Sequence, residues 1–128
     1  MEKISIIIIA LLSLSIISCN PDYTKAQELE GIWEVTEVKD GTIVTTYPYT
    51  LLGITYSSSM RFHDIKEDAG KVTFTYKVGN ISNEDTKDFS ITDKGTKIIV
   101  DTEKYDFTVN GKDLIFQNDD ISTTLKKQ

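Results

Sequence analysis

Apolar and polar residues alternate along most of the chain after residue 19, and this is the period of a β-strand with one buried face. In segment 71–78 every second residue is Val, Phe or Tyr, and the residues between them are Thr or Lys. No later segment has a sustained helical period, and only Ala26 to Glu30 allows a short helical turn. The same alternation recurs in segments 60–63, 88–92, 105–109, 113–117 and 121–126.

Turn-forming residues separate these segments at spacings of roughly 8–12 residues. Asn110-Gly111 is the strongest signal, because both central residues of a type I′ hairpin turn need a positive φ. Short strands joined by tight hairpins predict an all-β domain, a small antiparallel up-and-down β-barrel of eight or nine strands. An immunoglobulin-like β-sandwich is the alternative. Further turns are predicted at 40–41, 67–70, 79–80, 93–95 and 118–120.

The first nineteen residues have the pattern of a targeting segment. Residues 4–17 are almost wholly apolar, but they fall short of the roughly 20 residues that span a bilayer. Ile16-Ile17-Ser18-Cys19 follows and resembles the lipobox of bacterial lipoproteins, in which a signal peptidase cuts before the cysteine. The resemblance implies a signal peptide at 1–18 and a diacylglyceryl Cys19 that also carries an N-terminal acyl chain such as palmitate. The alternative is an unpaired thiol after an ordinary signal or a membrane anchor.

Lipidation of Cys19 would hold the protein on a membrane, because each buried CH₂ contributes about 0.8 kcal/mol and stable anchoring needs two chains. Asn20 follows the cysteine, so the Asp that retains lipoproteins of enteric bacteria in the inner membrane is absent. This favours an outer-membrane anchor, with the protein facing the periplasm or the outside. Residues 19–28 are predicted to be the lipidated N-terminus and a flexible polar tether, and residues 29–128 the barrel domain.

Gly31-Ile32-Trp33 opens the first predicted strand and resembles the Gly-x-Trp signature of lipocalins and of lipocalin-like domains in small bacterial lipoproteins. The resemblance extends over about residues 29–127 and implies a barrel that holds a small hydrophobic ligand. Lipocalins place an Arg of the last strand over that Trp. Here the last strand has no Arg, and Lys126 or Lys127 would take its place.

Large rings on the alternating face either line a ligand cavity or fill the barrel, since eight strands enclose just enough space for one or the other. So many rings in about 100 residues favour a filled core. Tyr47, Tyr49 and Tyr56 would rim a cavity mouth or form a contact patch, or else occupy ordinary half-exposed strand positions. The candidate ligand-binding residues are Trp33, Phe62, Phe74, Tyr76, Phe89, Tyr105, Phe107 and Phe116.

The composition of the chain argues against several classes of function. A net charge of -6 with Arg61 as the only arginine argues against nucleic-acid binding. His63 is the only histidine, so catalysis by a histidine base has one candidate, with Ser57 to Ser59 upstream, but we expect His63 to lie on the polar face of a strand. The carboxylates at 64–68 and 118–120 are interpreted as turn formers rather than metal ligands.

The sequence therefore predicts a non-enzymatic, membrane-anchored lipoprotein with no cofactor and no metal. In the first hypothesis it binds or carries a small apolar molecule. In the second, its barrel is solid and it docks to an envelope protein or an extracellular polymer.

Overall fold

The computed structural model describes residues 20–128, and the predicted signal peptide and Cys19 lie outside this range. The described chain begins with helix α1 (Pro21–Leu29), which leads directly into the first strand. The strands are β1 (Gly31–Asp40), β2 (Ile43–Thr46), β3 (Tyr49–Leu51), β4 (Ile54–Lys66), β5 (Ala69–Val78), β6 (Ile81–Thr92), β7 (Lys97–Val100), β8 (Glu103–Asn110), β9 (Asp113–Asn118) and β10 (Ile121–Lys127).

Eight of the strands close into an antiparallel barrel, as the alternation predicts. Strands β4 to β10 pair in sequential order, β10 pairs with β1, and the first part of β1 pairs with β4. This up-and-down order excludes the sandwich alternative, whose Greek-key connections place non-sequential strands side by side. The remaining strands, β2 and β3, pair with the second half of β1 and the beginning of β4. They are separated at Pro48, which cannot donate to a strand ladder.

The two ends of the barrel differ. At the closed end, where β1 begins and β10 ends, α1 packs against β4, β5, β6 and β8. The opposite end, here called the open end, carries the hairpin turns at 41–42, 52–53, 79–80, 101–102 and 119–120.

Helix α1 occupies most of the segment predicted to be a flexible tether, and that prediction is wrong. The Asn20 side chain caps the helix by accepting a hydrogen bond from the Asp22 backbone N at 3.0 Å. Ala26 and Leu29, three residues apart on one helical face, are both fully buried. The Asp22 carboxylate accepts a hydrogen bond from the Gly95 backbone N at 2.7 Å, which fixes the start of the helix to the β6–β7 turn.

Trp33 fills the closed end directly above the helix. Its ring is fully buried, and its Nε1–H donates to the Leu29 carbonyl at 2.8 Å. Lys127 Nζ lies 5.6 Å from the centre of the ring, so the last-strand lysine takes the position expected for a cation over this Trp. Gly31 has a φ of +123°, a backbone conformation that residues with a side chain rarely adopt, which favours glycine at this position.

Candidate functional site: a cavity at the open end

The open half of the barrel contains a cavity of about 320 Å³. Its lining comes from seven of the eight barrel strands, so the space lies inside the barrel and not on its outer surface. The lining is mostly aliphatic and aromatic, with hydroxyl groups from serine, threonine and tyrosine. The lining residues are Val35, Val38, Tyr47, Ser58, Met60, Phe74, Tyr76, Val100, Tyr105, Phe116 and Thr123.

The eight rings chosen from the sequence divide into two groups. Phe74, Tyr76, Tyr105 and Phe116 line the cavity. The other four are buried in the packed part of the barrel, where the Phe62 and Phe89 rings meet edge to face with centroids 5.2 Å apart. The barrel is therefore filled at its closed end and hollow at its open end, a combination that neither sequence interpretation contained. The four packed rings are those of Trp33, Phe62, Phe89 and Phe107.

Apart from Tyr47, which the sequence analysis offers as a residue of a cavity mouth, the remaining lining residues were not singled out from the sequence. Val35, Val38 and Val100 are aliphatic strand residues like many others. Ser58 and Thr123 are polar, so an apolar alternation does not select them. The strand register identifies such polar residues as cavity-lining. Ser58, for example, is paired with Tyr76 between β4 and β5, and residues paired directly across a ladder share one face of the sheet.

Four tyrosines form one side of the cavity mouth, and we call Tyr47, Tyr49, Tyr56 and Tyr76 the tyrosine rim. Tyr49 and Tyr56 stack with their centroids 4.8 Å apart, and Tyr47 meets Tyr49 edge to face at 5.2 Å. Partial burial, followed by the nearby phenols of Tyr76, Tyr47 and Tyr56, raises the pKa of Tyr49 above its usual value. The phenol of Tyr49 is therefore neutral, and the rim presents ring faces together with hydroxyl groups.

On the opposite wall, the Tyr105 hydroxyl donates a hydrogen bond to the Glu103 carboxylate. This bond, together with partial burial and the nearby negative charge, raises the pKa of Tyr105 to about 12. Val100 lines the cavity and is paired with Glu103, so the carboxylate lies on the side of the sheet that faces the cavity. The wall therefore carries a negative charge near the mouth.

Exposed aliphatic side chains surround the open end. Ile43 and Ile121 lie beside Asp40 on paired strands, and Leu52 is 94% exposed in the β3–β4 turn. The Gly79 backbone N donates to the Thr55 carbonyl at 2.9 Å and so joins the β5–β6 turn to the β3–β4 hairpin. We call this group the aliphatic rim: Ile43, Leu51, Leu52, Ile54, Ile81 and Ile121.

His63 lies on the polar outer face of β4, as expected from its position beside the buried Phe62. Its Nε2 is 2.8 Å from the Thr73 hydroxyl, and its Nδ1 is 3.1 Å from the Asp64 carboxylate. The Thr73 hydroxyl also bonds to Thr86 at 2.9 Å. These contacts form a polar ladder across β4, β5 and β6, and none of these side chains lines the cavity.

Glu67, Asp68, Asp119 and Asp120 lie in hairpin turns as predicted, whereas Asp64 lies within β4, where the register with β5 shifts. Within residues 20–128, no group of three or more His, Cys, Asp or Glu side chains is arranged to hold a metal ion. The helix in this part of the chain is too short and too polar to cross a bilayer.

Comparison of the chain with protein-family models, with curated proteins and with solved structures found no match. The functional argument therefore depends on the geometry of the cavity and its mouth.

Proposed function

We propose that this protein is a membrane-anchored lipoprotein whose barrel binds or carries a small hydrophobic molecule. The observation that supports this most directly is the cavity of about 320 Å³ at the open end. Small-molecule sites usually have volumes of about 300–1,000 Å³, mostly apolar walls and a few polar groups. This cavity lies at the lower end of that range, so it suits a compact molecule.

The lining indicates how such a molecule would be held. Val35, Met60 and Phe116 supply apolar surface, and removing apolar area from water contributes about 25 cal/mol per Å². The hydroxyl groups of Ser58 on β4 and Thr123 on β10, the two strands that flank β1, offer hydrogen bonds to the ligand. The ligand would therefore be apolar along most of its length, with a polar group at one end.

The proposed anchor is Cys19, and the fold supports a defined orientation relative to it. Asn20 is already the cap of α1, and α1 is packed on the closed end of the barrel. A lipid at Cys19 would therefore sit beside the closed end, and the mouth would face away from that membrane. Such a protein would exchange its ligand with the aqueous compartment or with a partner, not directly with the bilayer that holds it.

A blocking substitution tests ligand binding. Ser58→Phe places a ring inside the cavity, whereas Ser57→Phe places the same ring on the outer face of β4, because successive strand residues point to opposite faces. We expect native mass spectrometry of the full chain, extracted from its own membrane, to find a bound apolar molecule on the wild type and on Ser57→Phe. Ser58→Phe should be empty. Three empty proteins, or the same occupancy in all three, would contradict the proposal.

Trp33 fluorescence is not a suitable reporter for this experiment. The ring lies in the packed closed end and is not among the cavity-lining residues. A ligand in the open half would leave its surroundings nearly unchanged, so a flat Trp33 response would not distinguish an empty cavity from an occupied one.

The anchor needs a separate test. Metabolic labelling with an alkyne analogue of palmitate should mark the wild type and leave Cys19→Ser unlabelled. Equal labelling of both chains, or no labelling of the wild type, would refute the anchor without affecting the argument from the cavity.

A docking module is the second candidate, and the aliphatic rim is the observation that favours it. Rim residues such as Leu52 are well exposed, and clustered apolar side chains at a surface often mark contact sites. This function predicts that Leu52→Ser abolishes capture of an envelope protein by the full chain, while Ser58→Phe, which blocks the cavity, leaves capture unchanged.

A further inference from the structure

The mouth of the cavity carries an unbalanced negative charge that begins on β6, the strand next to Tyr76, and continues to β8. Phe74 lines the cavity and is paired with Asp85, so that carboxylate shares the cavity-facing side of the sheet. Glu103 shares it through its pairing with Val100, as described above. We call Asp85, Asp101 and Glu103 the acidic lip.

One cation lies within this lip. Lys87 is paired with Val72 on the same face, and its Nζ lies 3.6 Å from an Asp85 oxygen and 3.7 Å from an Asp101 oxygen. The lip therefore has three carboxylates and one ammonium group. The excess of negative charge adjoins a cavity whose lining also includes the rings of Tyr47 and Tyr76.

We propose, on the basis of the function proposed above, that the preferred ligand is a small amphiphile with a positively charged end. Its apolar body would occupy the cavity between Val35 and Phe116, and its cationic group would lie at the mouth. There it would be attracted by the acidic lip and by the faces of Tyr47 and Tyr76, since aromatic rings attract cations within about 6 Å. A carboxylate-bearing ligand such as a fatty acid would meet repulsion at the same place.

The pattern of charge on the neighbouring strand β6 makes the proposal specific. Glu84 precedes Asp85 and is paired with Thr75, so it lies on the outer face of the barrel. The two carboxylates are adjacent in the chain, yet only one of them faces the mouth. Neutralising Glu84 therefore changes the net charge equally but leaves the lip intact, which makes it the matched control.

The test compares two probes of the same chain length, octyltrimethylammonium and octanoate, by calorimetric titration of the full chain in nanodiscs. Empty nanodiscs provide the blank. We expect the cation to bind more tightly than the anion, and we expect the difference to shrink in high salt because exposed charges are screened.

Three variants locate the effect. Glu103→Gln keeps an acceptor for the Tyr105 hydroxyl but removes the charge, and it should weaken the cation about threefold to fivefold, as expected for one water-exposed charge a few ångströms away. Glu84→Gln should leave both affinities unchanged. Lys87→Met should strengthen the cation and weaken the anion.

The outcomes separate this inference from the proposed function. If octanoate binds as tightly as the cation, or if Glu84→Gln acts as strongly as Glu103→Gln, selection by the lip is overturned and the apolar cavity remains a binding site. If octyltrimethylammonium, octanoate and neutral octanol all fail to bind the wild type, the proposed function is refuted, and the inference falls with it.

Discussion

Removing the Leu29 side chain tests whether helix α1 is part of the folded domain. Leu29 is fully buried where α1 meets the closed end of the barrel, and its carbonyl accepts the Trp33 Nε1–H. We expect Leu29→Ala to destabilise the whole domain and to expose Trp33 to water. If the segment were a tether, neither effect would follow.

The size of the effect follows from burial. Replacing a fully buried Leu by Ala costs about 2–5 kcal/mol, because apolar contacts are lost and a cavity remains. A nine-residue helix is too short to be stable alone in water, so α1 depends on this docking contact for its order. With a urea m-value of about 1–3 kcal/mol/M, the midpoint of unfolding should fall by on the order of 1–2 M.

Urea unfolding followed by Trp33 fluorescence measures both effects, since the chain has a single Trp. Leu29→Ala should lower the midpoint and shift the native emission to longer wavelength. Gln27→Ala, an exposed position of the same helix, should stay within about 0.5 kcal/mol of the wild type. Equal midpoints for the two variants, or an unchanged native emission in Leu29→Ala, would refute a structural role for α1.

Two further predictions concern Lys127 and Tyr105. Lys127→Met should lower the free energy of unfolding in urea by about 0.5–2 kcal/mol, because it removes a half-buried cation from the face of Trp33. The control, Lys126→Met, removes only a surface ion pair and should lower the free energy of unfolding by about 0–1 kcal/mol. Equal losses would contradict the cation–ring contact. Because the folded state raises the pKa of Tyr105 to about 12, the stabilisation is present below pH 10 and lost as pH rises toward 12. Phenolate absorbance should show a tyrosine that titrates near pH 12, and this component should be absent in Tyr105→Phe and should move to lower pH in Glu103→Gln. An unchanged titration in both variants would contradict this assignment.

The barrel could be predicted from the sequence because the patterns that specify its strands and turns lie within short segments. Alternation gives the strands, and signals such as Asn110-Gly111 give the hairpins between them. Sequential pairing then follows, because short connections leave neighbouring strands few other partners. The turns at 52–53 and 101–102 were missed, since Leu52 and Asp101 reach their positive φ values without a standard turn sequence.

The start of helix α1 has a local signal, with Asn20 as N-cap and Pro21 at the first position, but the contacts that order the helix are not local. Only two of its residues, Ala26 and Leu29, enter the core, and the rest of the segment is polar. Its order comes from contacts distant in sequence, such as the bond from Gly95 N to the Asp22 carboxylate. The sequence pattern shows that the segment is polar, but it does not show the surface on which the segment docks.

The cavity at the open end results from the point at which the pairing between β1 and β4 stops. β1 pairs with β4 only over Gly31–Glu34, and its register shifts between Val35 and Glu37, where a bulge bends the strand. Beyond that point β2 pairs with the second half of β1, and β3 pairs with the beginning of β4. More backbone therefore surrounds the open end than the closed end. The small Ser58 and Thr123 point inward there beside the rings, whereas at the closed end fully buried leucines, including Leu29 of α1, pack between the rings. A wider wall and smaller side chains leave space, which is why one alternating pattern produces a packed core at one end and a cavity at the other.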